Sequence, residues 1–282
     1  MITGFRRNLK PIEILTDEAL AAVRQGTLDI LETTGVTFEH DETLKLFADH
    51  KCPVDFAKKR VRIPADVVED CLKKTPSSFT LKARNPERNF KIGEGTFYFS
   101  NSMGMSIVDL ESWQPRPPTH EENADAVKVL DSLDTVHYIA PYTPYMAIEG
   151  VPASMVMLEG MADKLRLSDK VIASAYQMDS ELFAIRMGQA AGTELIGAVS
   201  VSPPMTYGES ACRAMHRWIA AGSPLSIGSG AVMGGTGPAT IAGSTITNNV
   251  ECIAGIVLAQ LIKPGTPLTI ADFVHPMDMR WG

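Results

Sequence analysis

The chain has 282 residues, 45% hydrophobic and 21% charged, with 22 Gly and 18 Pro. That balance suits a globular protein able to bury a large core without disulfide staples. A net charge of −7, from 26 basic and 33 acidic residues, lacks the basic excess of a nucleic-acid binder. Cys52, Cys71, Cys212 and Cys252 are too scattered for a zinc pattern and read as buried thiols of a reducing compartment. The opening MITGFRRNLK has no apolar run of the secretory kind. The longest apolar stretch, 252–262, is too short to cross a bilayer. The expectation is a soluble, cytoplasmic protein with no metal, nucleic-acid or membrane partner.

Thr16 opens a helix whose apolar positions run through Leu20, Val23, Leu28 and Leu31, with Asp17 and Glu18 suiting the helix dipole. Gly35 is its stop signal. Helices over 41–50 and 65–74 follow, separated by a short strand at 61–64. Residues 1–94 therefore read as a mostly helical extension. From residue 95 the rhythm changes. Strands are expected at 96–100, 135–142, 171–176, 194–201, 225–228 and 267–273. Between them come helices over 120–133 (with a Thr119–Glu122 capping box), 152–167, 179–191 (capped by Asp179), 209–221 and 238–261.

Apolar strands alternating with helices predict parallel βαβ units. Residues 95–282 read as a partial α/β barrel of the TIM (β/α)8 type, truncated after about six βα units. A doubly wound sheet would carry a glycine fingerprint after its first strand, and there is none. Open edges at 96–100 and 267–273 would be an association hazard. The chain is accordingly expected to be the N-terminal part of a longer protein.

Several phrases carry a resemblance: LDILETTGVTF (28–38), RVRIPADVVEDCLKKTP (60–76), LKARNPERNFKIGEG (81–95), SIVDLESWQPRPPT (106–119), VMGGTGPATIAGSTITNNVECIAGIVLAQLIKPGTPL (232–268) and DMRWG (278–282). In this order the sequence resembles the trimethylamine methyltransferase family, the MttB-like corrinoid methyltransferases. The resemblance implies a TIM barrel with an N-terminal extension. It implies methyl transfer from a methylated or quaternary amine, trimethylamine or betaine-like, to the Co(I) of a corrinoid. That corrinoid (cobalamin) is supplied by a partner corrinoid protein, and no cofactor is bound tightly. A homo-oligomer is expected when the chain is complete. The pyrrolysine used by some members would lie beyond Gly282. Trp281, where Thr is commoner, and Lys51, where Gly is usual, depart from the pattern. The alternative is a truncated, non-catalytic chain that recognises an amine.

The Gly-rich segment GSGAVMGGTGP (228–238) fails both nucleotide readings: Met233 occupies the last Gly of a dinucleotide fingerprint, and Thr236 the Lys of a Walker loop. It is either turn geometry or a loop approached by a ligand. By the resemblance, Gly230, Gly234, Gly235 and Thr236 face the corrinoid. Asn101, Tyr142, Tyr176 and Asp272 stand at strand ends, with Tyr145, Tyr207, His275 and Trp281 just beyond. A nitrogen bearing only methyl groups offers no hydrogen to donate, so aromatic faces and a carboxylate must hold it. Tyr142, Tyr176, Asp272, His275 and Asn101 are therefore the candidate substrate contacts. The tyrosines fit equally well as packing of the upper barrel layer. His137, mid-strand, reads as a hydrogen-bonded core residue.

Overall fold

A computed structural model describes residues 4–102, 104, 106–142, 144–278 and 280. Trp281 and the end of the DMRWG phrase lie outside the described residues. The chain forms two compact units: Met1–Leu9 with Ser77–Ala198, and Lys10–Pro76 with Val199–Gly282. The boundary expected at residue 94 falls inside the first unit. Both units are mixed α/β, with parallel strands joined by helices.

In the first unit the parallel strands Tyr138–Ile139, Val171–Ser174 and Leu195–Ser200 pair in chain order, with Tyr138 opposite Val171 and Ile172 opposite Leu195. Helices His120–Ser132, Ala153–Leu167 and Ser180–Ala191 alternate with them. The reciprocal capping box is present: Thr119 accepts from the Glu122 N–H, and Glu122 accepts from the Thr119 N–H. Asp179 does not cap the next helix. It sits at φ 61 without a side-chain cap bond, and the Ser180 hydroxyl accepts the Gln177 N–H instead. The strand expected at 96–100 is shorter, and Thr96–Phe97 pairs antiparallel with Phe5–Arg6. A bridge from Ser100 to Tyr138, the bond from the His137 N–H to Phe99 O and that from the Ala140 N–H to Asn101 Oδ1 tie that segment to the parallel strands.

A hairpin unforeseen in the sequence, Phe79–Leu81 with Phe90–Ile92, fills the core of this unit. Leu81, Ala83 and Phe90 pack with Val171, Ala173 and Ile196. His137 is buried and its Nδ1 accepts the Phe99 N–H at 2.9 Å; it is a hydrogen-bonded core residue as expected, but it precedes the strand, which spans Tyr138–Ile139 rather than 135–142. Burial holds its imidazole below the usual histidine range.

In the second unit Thr206–Tyr207, Val36–Phe38, Arg60–Val61 and Val54–Asp55 form a small mixed sheet in that order. Thr16 caps the helix Asp17–Thr33, and Gly35 at φ 75 ends it, donating its N–H to Ile30 O. Beside this sheet, strands Leu225–Met233 and Leu268–Pro276 run parallel, joined by the helix Ile241–Ile262. Both strands are longer than their expected spans of 225–228 and 267–273. That helix is apolar on all sides because it is a core helix: 67% of its most apolar window is buried. It packs on both strands and on the helices Asp17–Thr33 and Ala65–Lys74. Among the described residues it alone is long and apolar enough to cross a membrane.

Gly255 lets this helix approach the small sheet. A Cβ at 255 would collide with the Tyr207 hydroxyl, which donates to Glu251 O at 2.8 Å. Tyr207 is fully buried and stacked on Phe38, with centroids 5.1 Å apart. Gly255→Ala is therefore expected to cost about 1–3 kcal/mol through overpacking. A urea midpoint unchanged from wild type would show that the contact is not tight.

Candidate functional site

The long strand pair of the second unit has two faces, because side chains alternate along a strand. Ser229 stands opposite Asp272, Gly230 opposite Phe273, and Val232 opposite His275. Leu225, Ile227, Ser229 and Ala231 are buried on the side covered by the helix Ile241–Ile262. Asp272 turns the same way, and its carboxylate accepts from Asn248 Nδ2 on that helix. Phe273 and His275 occupy the other face. Asp272 was expected beside His275 at a strand mouth. It instead hydrogen bonds to the helix behind its own strand, and both residues lie within the strand rather than past its end.

Behind the strands sits a polar cluster. Asn248 Oδ1 accepts the Ala231 N–H at 3.1 Å and lies 2.6 Å from Ser229 Oγ. Glu251 Oε1 accepts the Met205 N–H at 2.6 Å, and its other oxygen contacts Ser229 Oγ. Glu251, Asn248 and Ser229 are all buried. The Ser229 hydroxyl has one proton for two acceptors, so the count closes when Glu251 is protonated. The same direction follows from electrostatics. Burial pushes the Glu251 carboxyl above the usual carboxylate range, the Met205 and Ser229 bonds oppose this, and neighbouring Asp272 adds to it. Burial also raises Asp272.

The opposite face is bare and aromatic. Phe273 and His275 stack with centroids 5.6 Å apart and planes 19° apart. The Phe273 ring lies over Gly230, where a Cβ would fall against it. Gly230 is thus part of a strand, not of a loop as expected. The true turn follows: the N–H groups of Gly235, Thr236 and Gly237 all converge on Val232 O, and Thr236 Oγ1 accepts the Val232 N–H. Gly234 has φ 77. These bonds are internal to the turn, so the exposed Gly234, Gly235 and Thr236 offer shape rather than free backbone donors.

In the first unit, Asn101 Oδ1 accepts the Ala140 N–H at 3.2 Å, fixing the end of strand Tyr138–Ile139. Tyr142 follows, half-buried, with burial raising its phenol. Tyr176 is half-buried beyond the strand Val171–Ser174. Lys164 lies between these strand ends and escaped the sequence reading. It is 2% exposed, and its ammonium donates to Ala140 O (3.5 Å), Pro141 O (3.0 Å) and Ala173 O (3.3 Å). Burial lowers its amine to about 7. Tyr145 packs on Gly104, and Tyr207 is a core residue as described above.

Asn101, Tyr142 and Tyr176 therefore belong to the first unit, and Asp272, His275 and the glycine segment to the second. The four cysteines are buried, free thiols. Burial pushes Cys52, Cys212 and Cys252 up to about 12 and Cys71 to about 11, which makes them poor nucleophiles. Among the described residues no group of three His, Cys, Asp or Glu could hold a metal ion.

The sequence profile of the family described as Trimethylamine methyltransferase (MTTB) matches residues 1–282. A glycine betaine methyltransferase of Desulfitobacterium hafniense (strain Y51) is 29% identical over 97% of this chain and 58% of its own length. The trimethylamine methyltransferase MttB of Desulfitobacterium hafniense (strain DSM 10664 / DCB-2) is 27% identical over 94% of this chain and 55% of its own. The chain thus spans less than two thirds of these relatives. The crystal structure of the Methanosarcina barkeri monomethylamine methyltransferase (MtmB) superposes with a TM-score of 0.53 at 14% identity, covering 94% of this chain and 59% of that one. That likeness establishes a shared fold.

Proposed function

The chain belongs to the trimethylamine methyltransferase family, and from that premise we propose that the protein moves a methyl group from a tertiary or quaternary methylamine to the Co(I) of a corrinoid carried by a partner protein. The observation that carries this reading is the family match along the whole chain. The parallel strands are proposed to belong to a (β/α)8-type barrel, whose chemistry gathers at the C-terminal strand ends. The protein is proposed to act in the cytoplasm as a homo-oligomer.

The step asks little of the protein's acids and bases. With a quaternary amine the C–N bond breaks and its electron pair stays on nitrogen, so a neutral amine leaves. Co(I) supplies the pair for the new Co–C bond and is formally oxidised by two electrons. No proton moves. The protein must desolvate the cation, align the methyl carbon and balance charge. Neither long strand of the second unit contains a Lys or Arg, which suits a cationic substrate. His275 is the proposed contact there, with Asp272 acting as a counter-charge from behind the strand. Asn101, Tyr142 and Tyr176 are the candidate contacts of the first unit. A counter-charge binds ground and transition states alike, so it bears on KM more than on kcat.

The test follows the absorbance of Co(I) cobalamin after trimethylamine or glycine betaine is added with the purified protein. Protein-dependent, saturable conversion to methylated cobalt is expected. Amine binding without conversion would replace the enzyme by the non-catalytic, amine-binding reading.

A further inference from the structure

We propose that Phe273, stacked on His275 over Gly230, is the aromatic platform on which the methylammonium group of the substrate rests. This rests on the proposed amine methyltransferase reading and names a specificity-determining residue within it.

Three observations converge. First, Phe273 is a large apolar side chain left 57% exposed, on a strand that is exposed from Ile270 to Phe273. The ring is nevertheless held in place: it lies on the backbone of Gly230, which has no side chain to push it away, and stacks on His275. A fixed, open aromatic face presents its negative quadrupole outward. Secondly, the face on the N-terminal side of the rings is built from small residues, Ser226, Gly228, Thr269 and Ala271, while Val232 lies opposite His275. They leave room beside the rings for a compact group. Thirdly, the local charge favours a cation. The two strands contain no Lys or Arg, and their only carboxylate is Asp272, the residue preceding Phe273.

A trimethylammonium group is a compact cation with no N–H to donate. An aromatic face attracts it where hydrogen-bond acceptors would contribute less. A neutral ligand of the same shape would gain the apolar contact but not the cation–π attraction. Discrimination between the two is therefore the property assigned to Phe273.

The experiment measures binding of choline and of its uncharged isostere 3,3-dimethylbutan-1-ol by calorimetry. The proteins compared are wild type, Phe273→Leu, Phe273→Tyr and Gly230→Ala, each checked for an unchanged circular dichroism spectrum. Wild type should prefer choline. Phe273→Leu should weaken choline by about tenfold while leaving the isostere within about twofold, and Phe273→Tyr should restore the preference. Gly230→Ala, which displaces the ring without altering it, should also lower the preference. Equal losses for both ligands, no loss for either, or a wild type that does not distinguish them would overturn the platform. Methyl transfer to Co(I) cobalamin is read separately. A platform that fails beside intact transfer leaves the enzyme reading standing, whereas choline discrimination without transfer sinks that reading and spares the platform.

Discussion

Replacing Lys164 by methionine is expected to remove a pH-dependent component of stability that wild type shows between about pH 7 and pH 10. The amine is fully buried and lowered by that burial to about 7, against about 10.4 in an unfolded chain. Below pH 7 both states carry the proton, and the folded state bears the full cost of a buried charge. Between the two values the folded protein has shed the proton while the unfolded chain still binds it. Stability then rises with pH by up to about 1.4 kcal/mol per pH unit, roughly 4–5 kcal/mol in all. Above pH 10.4 the difference is complete.

The three carbonyl bonds of Lys164 offset part of this cost at low pH. Net stability of the variant at pH 6 is therefore a poor readout, and the slope is a good one. Urea midpoints of both proteins from pH 6 to pH 10 should diverge in favour of wild type as pH rises. A constant difference across that range would mean that Lys164 keeps its proton, held by its three carbonyl acceptors.

The alternation of strand and helix was legible because periodicity reports burial. Helices Asp17–Thr33, Ala65–Lys74 and His120–Ser132 sit within a residue or so of their expected spans, since caps and amphipathic spacing are local signals. The hairpin Phe79–Leu81 with Phe90–Ile92 was not legible. Its strands are three residues each, too short for a periodic signal, and what fixes them is packing against Val171 and Ile196. Strand lengths failed for a similar reason. Gly228, Gly230, Gly234 and Gly235 read as one loop, yet the strand runs through the first two and the turn begins at the third. A glycine in a strand marks close approach by another group as readily as it marks a turn. Here the group is the ring of Phe273.

Asp272 and His275 lie on one strand, as the sequence suggests, but not side by side. Asp272 and His275 are three positions apart, and an odd spacing in a strand puts two side chains on opposite faces. That rule alone separates them once the strand extends to Pro276. Glu251 and Asn248 carried a signal that went unused. They are polar residues three apart in a helix otherwise rich in Ile, Ala and Val, and a buried polar pair at that spacing must have partners. Lys164 had no comparable signature, because a lysine near a helix end is ordinarily exposed.

The second large effect is expected at Asn248. Its amide joins three otherwise separate groups: Oδ1 accepts the Ala231 N–H and faces the Ser229 hydroxyl, while Nδ2 donates to Asp272. Asn248→Leu leaves the buried Ala231 N–H without its acceptor and the buried Ser229 hydroxyl short of one partner, and should cost about 2–4 kcal/mol. Asn248→Asp keeps the shape but places a third carboxyl between Glu251 and Asp272, both already raised by burial. At pH 7.5 the aspartate variant should be the less stable of the two, because the new carboxylate would be buried beside Glu251 and close to Asp272, where like charges disfavour ionisation. Acidification should narrow or reverse the order. A carboxyl whose folded pKa is raised holds its proton better in the folded state, so its contribution is full below the unfolded value and is lost as pH rises through the folded one. Glu251→Gln should flatten the same limb of the wild-type profile by removing one such group. Urea unfolding of the Asn248 variants at pH 5 and pH 7.5 decides the matter. An aspartate variant as stable as wild type at pH 7.5 would show that Asn248 does not sit between two interacting carboxyls.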